Sequence, residues 1–196
     1  MFARLIVNRK WMVAAVAAAI LALVIGVAVG RSIIPSDPEE AGVAPGKPTL
    51  FKEPRSGISL RYPADWTRLR SRDSQVPLVA ALSPATSLSL RVSTSPLTDI
   101  TASTLPVVRE FTDELISADH RAKLLSDPEQ VELGGLPGYR YRYTYTTKDG
   151  QTGAHVHYFV FKKAQLIQLV FQSLPASGLQ AAEPAYNRIA ASFASS

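Results

Sequence analysis

The sequence predicts an α+β domain, an antiparallel β-sheet sandwiched by helices, preceded by one transmembrane helix. Three observations lead there. Trp11 to Gly30 is an apolar run without a single charge, a proline-rich stretch follows it, and beyond that period-two segments are interrupted twice by segments of helical period.

The run WMVAAVAAAILALVIGVAVG covers 20 residues, which as a helix spans roughly 30 Å, the thickness of a bilayer's hydrocarbon core. Arg4, Arg9 and Lys10 precede it, whereas Arg31 is followed by Asp37, Glu39 and Glu40 before the next cation at Lys47. The Lys/Arg bias assigns residues 1–10 to the cytoplasm and the C-terminal domain to the far side of the cell membrane, in a single-pass topology. A cleaved signal peptide is the competing reading, because Ala28-Val29-Gly30 has the small-x-small pattern of a processing site. The run is longer than the roughly 7 to 15 residues of a signal core, which favours a retained signal-anchor. Ala14, Ala18, Ala22, Gly26 and Gly30 recur every fourth position. Such a column lets two helix backbones approach closely, so the helix is expected to pair, giving a homodimer within the bilayer.

The net charge of +5 is mostly topological, since Arg4, Arg9, Lys10 and Arg31 supply four of the positive charges and the rest carries 17 Lys and Arg against 16 Asp and Glu. That distribution argues against a nucleic-acid partner. There is no cysteine, hence no disulfide, no thiol chemistry and no lipidated cysteine. Residues 31–54 contain Pro35, Pro38, Pro45, Pro48 and Pro54 with Gly42 and Gly46, and read as an extended spacer. Some 20 residues at about 3.1 Å each hold the domain up to roughly 60 Å from the bilayer.

Residues 55–196 form the extracytoplasmic domain. Ile58 to Tyr62 alternates as a strand, Leu78 to Leu82 is a second apolar run behind Pro77, and Ser87 to Ser93 places Leu88, Leu90 and Val92 on one face. A helix follows with Thr104 as its cap, Pro106 in its first turn, and Val108, Phe111, Leu115 and Ile116 as its apolar stripe. Lys123 to Leu133, broken by Asp127-Pro128, reads as strand at either end. Tyr139 to Thr147 and Thr152 to Phe161 flank Asp149-Gly150, the dipeptide of two-residue type I′ hairpins, and Leu166 to Gln172 returns after the Lys162-Lys163-Ala164 turn, whose loop, if it is Lys163-Ala164, places Gln168 and Gln172 on the face of His155 and His157. Behind Pro184, Tyr186, Ile189, Ala190 and Phe193 make a short amphipathic helix.

A two-residue loop at Asp149-Gly150 pairs Tyr141 with Tyr158 and Arg142 with His157. One face then carries the tyrosines 139, 141, 143 and 145 with Val156, Tyr158 and Val160, and is the expected core. The other gathers Arg140, Arg142, His155, His157 and Gln168, with Gln172. That surface is the candidate binding face, where guanidinium and imidazole meet an anionic or polar group. The competing reading is a partly solvated face, or polar groups paired beneath a covering helix. Metal binding is not expected, because only His120 remains as a third imidazole and no His-x-x-x-His or cysteine accompanies it. Nor is catalysis or a cofactor: no Gly-x-Ser-x-Gly and no phosphate loop occurs, and Asp113, Glu114 and Asp119-His120 read as a solvated helix face and a helix end.

The segment Gly57 to Trp66 (GISLRYPADW), the turn Gly135-Leu136-Pro137-Gly138 before a Tyr-rich hairpin, and the ending Ala191-Ser192-Phe193 resemble the PsbP-like fold family, which holds the photosystem II extrinsic protein PsbP and bacterial LpqN-type envelope proteins. The resemblance covers about residues 50 to 195. It implies an α/β/α sandwich and a noncatalytic interaction or accessory module for a membrane or envelope protein partner, in a cell-envelope assembly or lipid-transport complex. A lipid or small-ligand carrier domain is the alternative, and an unrecognised enzyme is the third reading. The chain departs from LpqN-type proteins in having an apolar helix where they carry a lipidated cysteine, and no metal or cofactor residue of PsbP has a matching motif here.

Overall fold

Alternating apolar side chains make strands of most of the chain, and the strands need cover on both faces. In a computed structural model, which describes residues 46–196, they are β1 (Thr49–Glu53), β2 (Ile58–Tyr62), β3 (Thr67–Leu69), β4 (Leu78–Ser83) and β5 (Thr86–Thr94), then β6 (Lys123–Leu124), β7 (Glu129–Leu133), β8 (Leu136–Thr146), β9 (Thr152–Lys162), β10 (Gln165–Ser173) and β11 (Ala194–Ser195). Two helices interrupt them, α1 (Leu105–Ser117) and α2 (Leu179–Ala191), each entered through a short 3₁₀ turn. The segments expected from the sequence as a transmembrane helix (11–30, with its column Ala18, Ala22, Gly26 and Gly30), a cytoplasmic N-terminus (1–10) and the first part of a spacer (to residue 45) lie outside the described residues. Among the described residues no helix is long and apolar enough to cross a membrane.

The main sheet is antiparallel throughout, in the order β3-β4-β5-β10-β9-β8-β6, with β7 also paired to β8. Its centre is β9, where every residue from Gly153 to Phe161 is buried. Alternation splits these residues between two layers. Ala154, Val156, Tyr158 and Val160 join Ile167, Leu169 and Phe171 against α2; Phe159 and Phe161 join Tyr139, Tyr141, Tyr143 and Leu166 against α1. The stripe Leu105, Val108, Phe111, Leu115 and Ile116 is therefore what α1 buries. Thr104 stands at its N-cap, but its hydroxyl turns back to Thr101 and leaves the helix N–H groups without a side-chain acceptor.

Three differences from the sequence-based expectation have physical causes. Thr49–Glu53, inside the expected spacer, is a strand: Phe51 is buried, and β1 pairs with β2, which pairs in turn with β11 in a second small sheet. Two prolines bracket a five-residue alternating segment without entering it. The C-terminal helix begins at Leu179, so Pro184 lies inside it. The lost backbone bond in its second turn is offset by burial of Leu179, Tyr186 and Ile189. Tyr186 stacks on Phe171 at 4.8 Å, meets Trp66 edge-on at 6.4 Å, and donates to the Gln172 carbonyl.

The third difference is the β8–β9 register. Tyr141 faces His157 and Arg142 faces Val156, one residue away from the expected pairing. The Thr147 N–H donates to the Gln151 carbonyl, the Gly150 N–H donates to the Thr147 carbonyl, and Gly150 has φ +83°. This is a three-residue loop, a type I turn closed by a left-handed glycine. Asp-Gly serves both turns, and the extra residue changes the parity. A slip of one residue exchanges the faces of a whole strand relative to its neighbour.

Candidate functional site

The slip takes the expected binding face apart. Tyr139, Tyr141, Tyr143 and Tyr145 share a face with His155, His157 and Gln168, on the α1 side; Arg140 and Arg142 project on the α2 side. His155, His157 and Gln168 are buried. The five side chains do not form one surface.

On the α1 side the polar residues make a chain. Tyr143 Oη lies 3.1 Å from His155 Nδ1 and 3.2 Å from His157 Nδ1, and His155 Nε2 lies 3.4 Å from Gln172 Oε1. A phenol has one proton to give. With Gln172 Oε1 as acceptor, His155 carries its proton on Nε2, so its Nδ1 accepts from Tyr143, and Tyr143 oxygen accepts from His157 Nδ1–H. His157 Nε2 is left as a bare acceptor, and neither it nor Gln168 Nε2 has a partner within hydrogen-bonding distance. Burial drives both imidazoles toward the neutral form. His155 is held down at about 4 by desolvation, opposed by its bond to Gln172 and by the Asp119 carboxylate; His157 is pushed well down by desolvation and the neighbouring His155, opposed by Gln168. His155 also stacks on Tyr145 at 4.3 Å, and His157 on Phe159 at 3.9 Å. These are packed core histidines. Beside them Tyr141 donates to Asp113 at 2.7 Å and contacts Thr112 Oγ1 at 2.6 Å, while Arg109 Nε holds both Asp113 oxygens, tying α1 to the sheet.

On the α2 side the arginines hold structure together. Arg140 donates to Glu129 of β7 at 2.7 Å, and Arg142 to Glu183 of α2 at 3.0 Å. Because a sheet separates Arg142 from His157, Arg142→Ala and His157→Ala are expected to destabilise additively. The coupling in a double-mutant cycle by urea denaturation should lie within about 0.5 kcal/mol of zero; a coupling above about 1 kcal/mol would restore the original pairing.

The exposed chemistry lies elsewhere, where sequence reasoning did not look. The edge strand β3 runs into the loop before β4 with Arg68, Arg70 and Arg72, all exposed. Arg68, Arg70, Ser71 and Ser74 line an open groove of about 510 Å³ with Val76 and Pro77. Arg68 is fixed, its guanidinium 5.2 Å from the Phe51 ring centre and donating to the Pro77 carbonyl at 3.3 Å. Asp73, the acid of the loop, is engaged: Oδ2 pairs with buried Arg91 and Oδ1 accepts from the Gln75 N–H at 2.8 Å. The signal was the spacing Arg-x-Arg-x-Arg, which on an extended chain puts three cations on one side. Among the described residues no group of three or more His, Cys, Asp or Glu could hold a metal ion.

The architecture recurs in solved structures. The cyanobacterial PsbP (CyanoP) of Synechocystis sp. PCC 6803 is similar to it over 81% of this chain and 98% of its own, with 18% identity and a TM-score of 0.58. LpqN of Mycobacterium tuberculosis is similar over 76% of this chain and 90% of its own, with 20% identity and a TM-score of 0.53. The domain has a PsbP-like fold. The PsbP-like fold also extends to the Ran-binding protein Mog1p of Saccharomyces cerevisiae, at 10% identity, covering 75% of this chain and 94% of that one with a TM-score of 0.51. No protein-family model and no curated protein matches the sequence. At such identities the PsbP-like likeness is one of fold, and function has to be argued from this chain's own residues.

Proposed function

We propose that the chain is a single-pass, membrane-anchored interaction or accessory module that presents a PsbP-like domain outside the cytoplasm and acts without catalysis. The observation that carries the reading is the charge-free run Trp11 to Gly30, with cations before it and acids after it, joined by a proline-rich spacer to a folded domain. The domain's own chemistry supports it. Two of the three histidines, His155 and His157, are packed in the core, and His120 is exposed just beyond the end of α1, whereas the exposed arginines of the β3–β4 loop suit recognition. LpqN, which shares the fold, is involved in cell envelope biogenesis, and an envelope assembly is accordingly the partner proposed here.

Extraction of native membranes at alkaline pH, followed by N-terminal sequencing, is expected to leave the chain in the pellet with its N-terminal segment intact. A soluble chain beginning near Arg31 would end the anchor reading. Affinity capture of the tagged full chain from the same membranes, with mass spectrometry of proteins and lipids, is expected to yield a stoichiometric membrane-protein partner. Stoichiometric lipid without such a protein would replace the accessory role by that of a carrier.

A further inference from the structure

We infer that the arginine-lined groove of the β3–β4 loop docks on the anionic lipid headgroups of the bilayer that anchors the chain, an inference that rests on the anchored reading above. Charge is unevenly distributed along the domain's sequence. Residues 47–72 carry seven Lys and Arg against Glu53 and Asp65, whereas residues 73–196 carry ten against eleven acids. The cationic excess is thus carried by the segment that directly follows the spacer, and the groove's arginines belong to it.

The groove has the parts a phosphodiester needs. Arg68 is held in place by the Phe51 ring and the Pro77 carbonyl, so little side-chain freedom is lost on binding. Arg70 projects beside it, Arg72 follows at the same spacing, and neither forms an ion pair among the described residues. The hydroxyls of Ser71 and Ser74 line the same groove. Asp73 also lines the groove, but its charge is already engaged: Oδ2 pairs with Arg91, which is 2% exposed, and Oδ1 accepts from the Gln75 N–H. The result is an open rim of guanidinium donors with the Ser74 hydroxyl beside them, the Ser71 hydroxyl being held by the Asp73 carbonyl, and with the acid of the lining already paired, the chemistry that recognises phosphate oxygens. Each arginine near an anionic surface adds to the attraction, and a spacer of some 20 residues keeps the groove at high effective concentration near the bilayer.

The test uses the full chain in lipid nanodiscs, labelled at Thr67→Cys, an exposed position beside the groove in a sequence with no other cysteine. Energy transfer to a headgroup acceptor is measured in discs of phosphatidylcholine alone and in discs with one quarter phosphatidylglycerol. Transfer is expected to rise at least about twofold with phosphatidylglycerol. The rise should vanish in about 0.5 M salt, where screening is short-ranged, and in R70E/R72E, while K148E at the β8–β9 turn should leave it unchanged. Both reversals are exposed, so near-UV circular dichroism should match the parent. Equal transfer in the two discs, or a rise that survives R70E/R72E, overturns the proposal. Complete competition by 10 mM inorganic phosphate at constant ionic strength also overturns it, in favour of a site for a free anion. If the chain does not stay in the discs, the anchored reading fails, and co-sedimentation of the same chain with vesicles of the two compositions decides the groove alone. Binding to the anionic vesicles, reduced at least about tenfold in R70E/R72E, keeps it; binding to neither removes it.

Discussion

Gly138→Ala is expected to cost the domain about 3 kcal/mol or more, because the new methyl group has nowhere to go. A Cβ on Gly138 would lie 1.9 Å from the Phe159 carbonyl oxygen and 2.9 Å from the Val160 Cα. Both are backbone atoms of the central strand. Gly138 is itself enclosed on both sides, paired with Val131 of β7 and Val160 of β9, so β8 can move away from one neighbour only by pressing on the other. Urea denaturation of the variant should show the loss as a lowered midpoint with an unchanged slope. A cost below about 1 kcal/mol would mean that β8 and β9 sit further apart at this position. Gly153 is the comparison. A Cβ there meets the Tyr145 ring at 2.3 Å, but a side chain can shift where a backbone cannot, and Gly153→Ala should cost less.

The second large effect is loss of stability in mild acid. A histidine in the unfolded chain titrates near 6.5, while His155 in the fold is held at about 4 and His157 well below its usual value, in both cases first by burial. Between those limits the unfolded chain binds protons that the folded one refuses, so the folded state loses ground as pH falls. The stability is fully present above about 6.5 and declines toward pH 4 and below. For His155 the span from 6.5 to about 4 corresponds to about 3 kcal/mol, and His157 adds in the same direction. Urea denaturation at pH 7 and at pH 4.5 measures it. His157→Phe, which keeps the stack on Phe159 and removes one titrating group, should flatten the dependence. An unfolding free energy that stays level across this range would show both rings reaching water.

Both effects depend on β9, and its neighbours show how far sequence reasoning reaches. The strands β5, β8, β9 and β10 and the stripe of α1 were all legible, because alternation and a 3.6-residue period are properties of the segment itself. The turn at 162–164 was legible in place but not in length: Gln165 faces Lys162, so of the sequence's options the two-residue loop Lys163-Ala164 is the one formed. Thr49–Glu53 was missed because prolines at its ends look like a linker until Phe51 finds the cluster of Ile58, Leu60 and Trp66 to pack against. The arginine groove was missed for a different reason. Arg68, Arg70 and Arg72 are plain in the sequence, but the pairing of Asp73 with Arg91, 18 residues further on, is what leaves them without a counter-charge in the loop.

By itself the sequence determined the charge-free run, the charge asymmetry around it, the α+β class and the identity of most elements, each set by a local pattern that needs no partner. Only the tertiary structure decided which faces meet. A strand's alternation defines two faces but does not say which face of the next strand joins each; that follows from whether the loop between them holds two residues or three, and Gly150 at positive φ satisfies either. The three-residue loop turned His155 and His157 inward beneath the tyrosines and sent Arg140 and Arg142 to salt bridges on the opposite side. Those polar groups are committed to core packing and to salt bridges, whereas Arg70 and Arg72 of the β3–β4 loop are exposed and form no ion pair among the described residues.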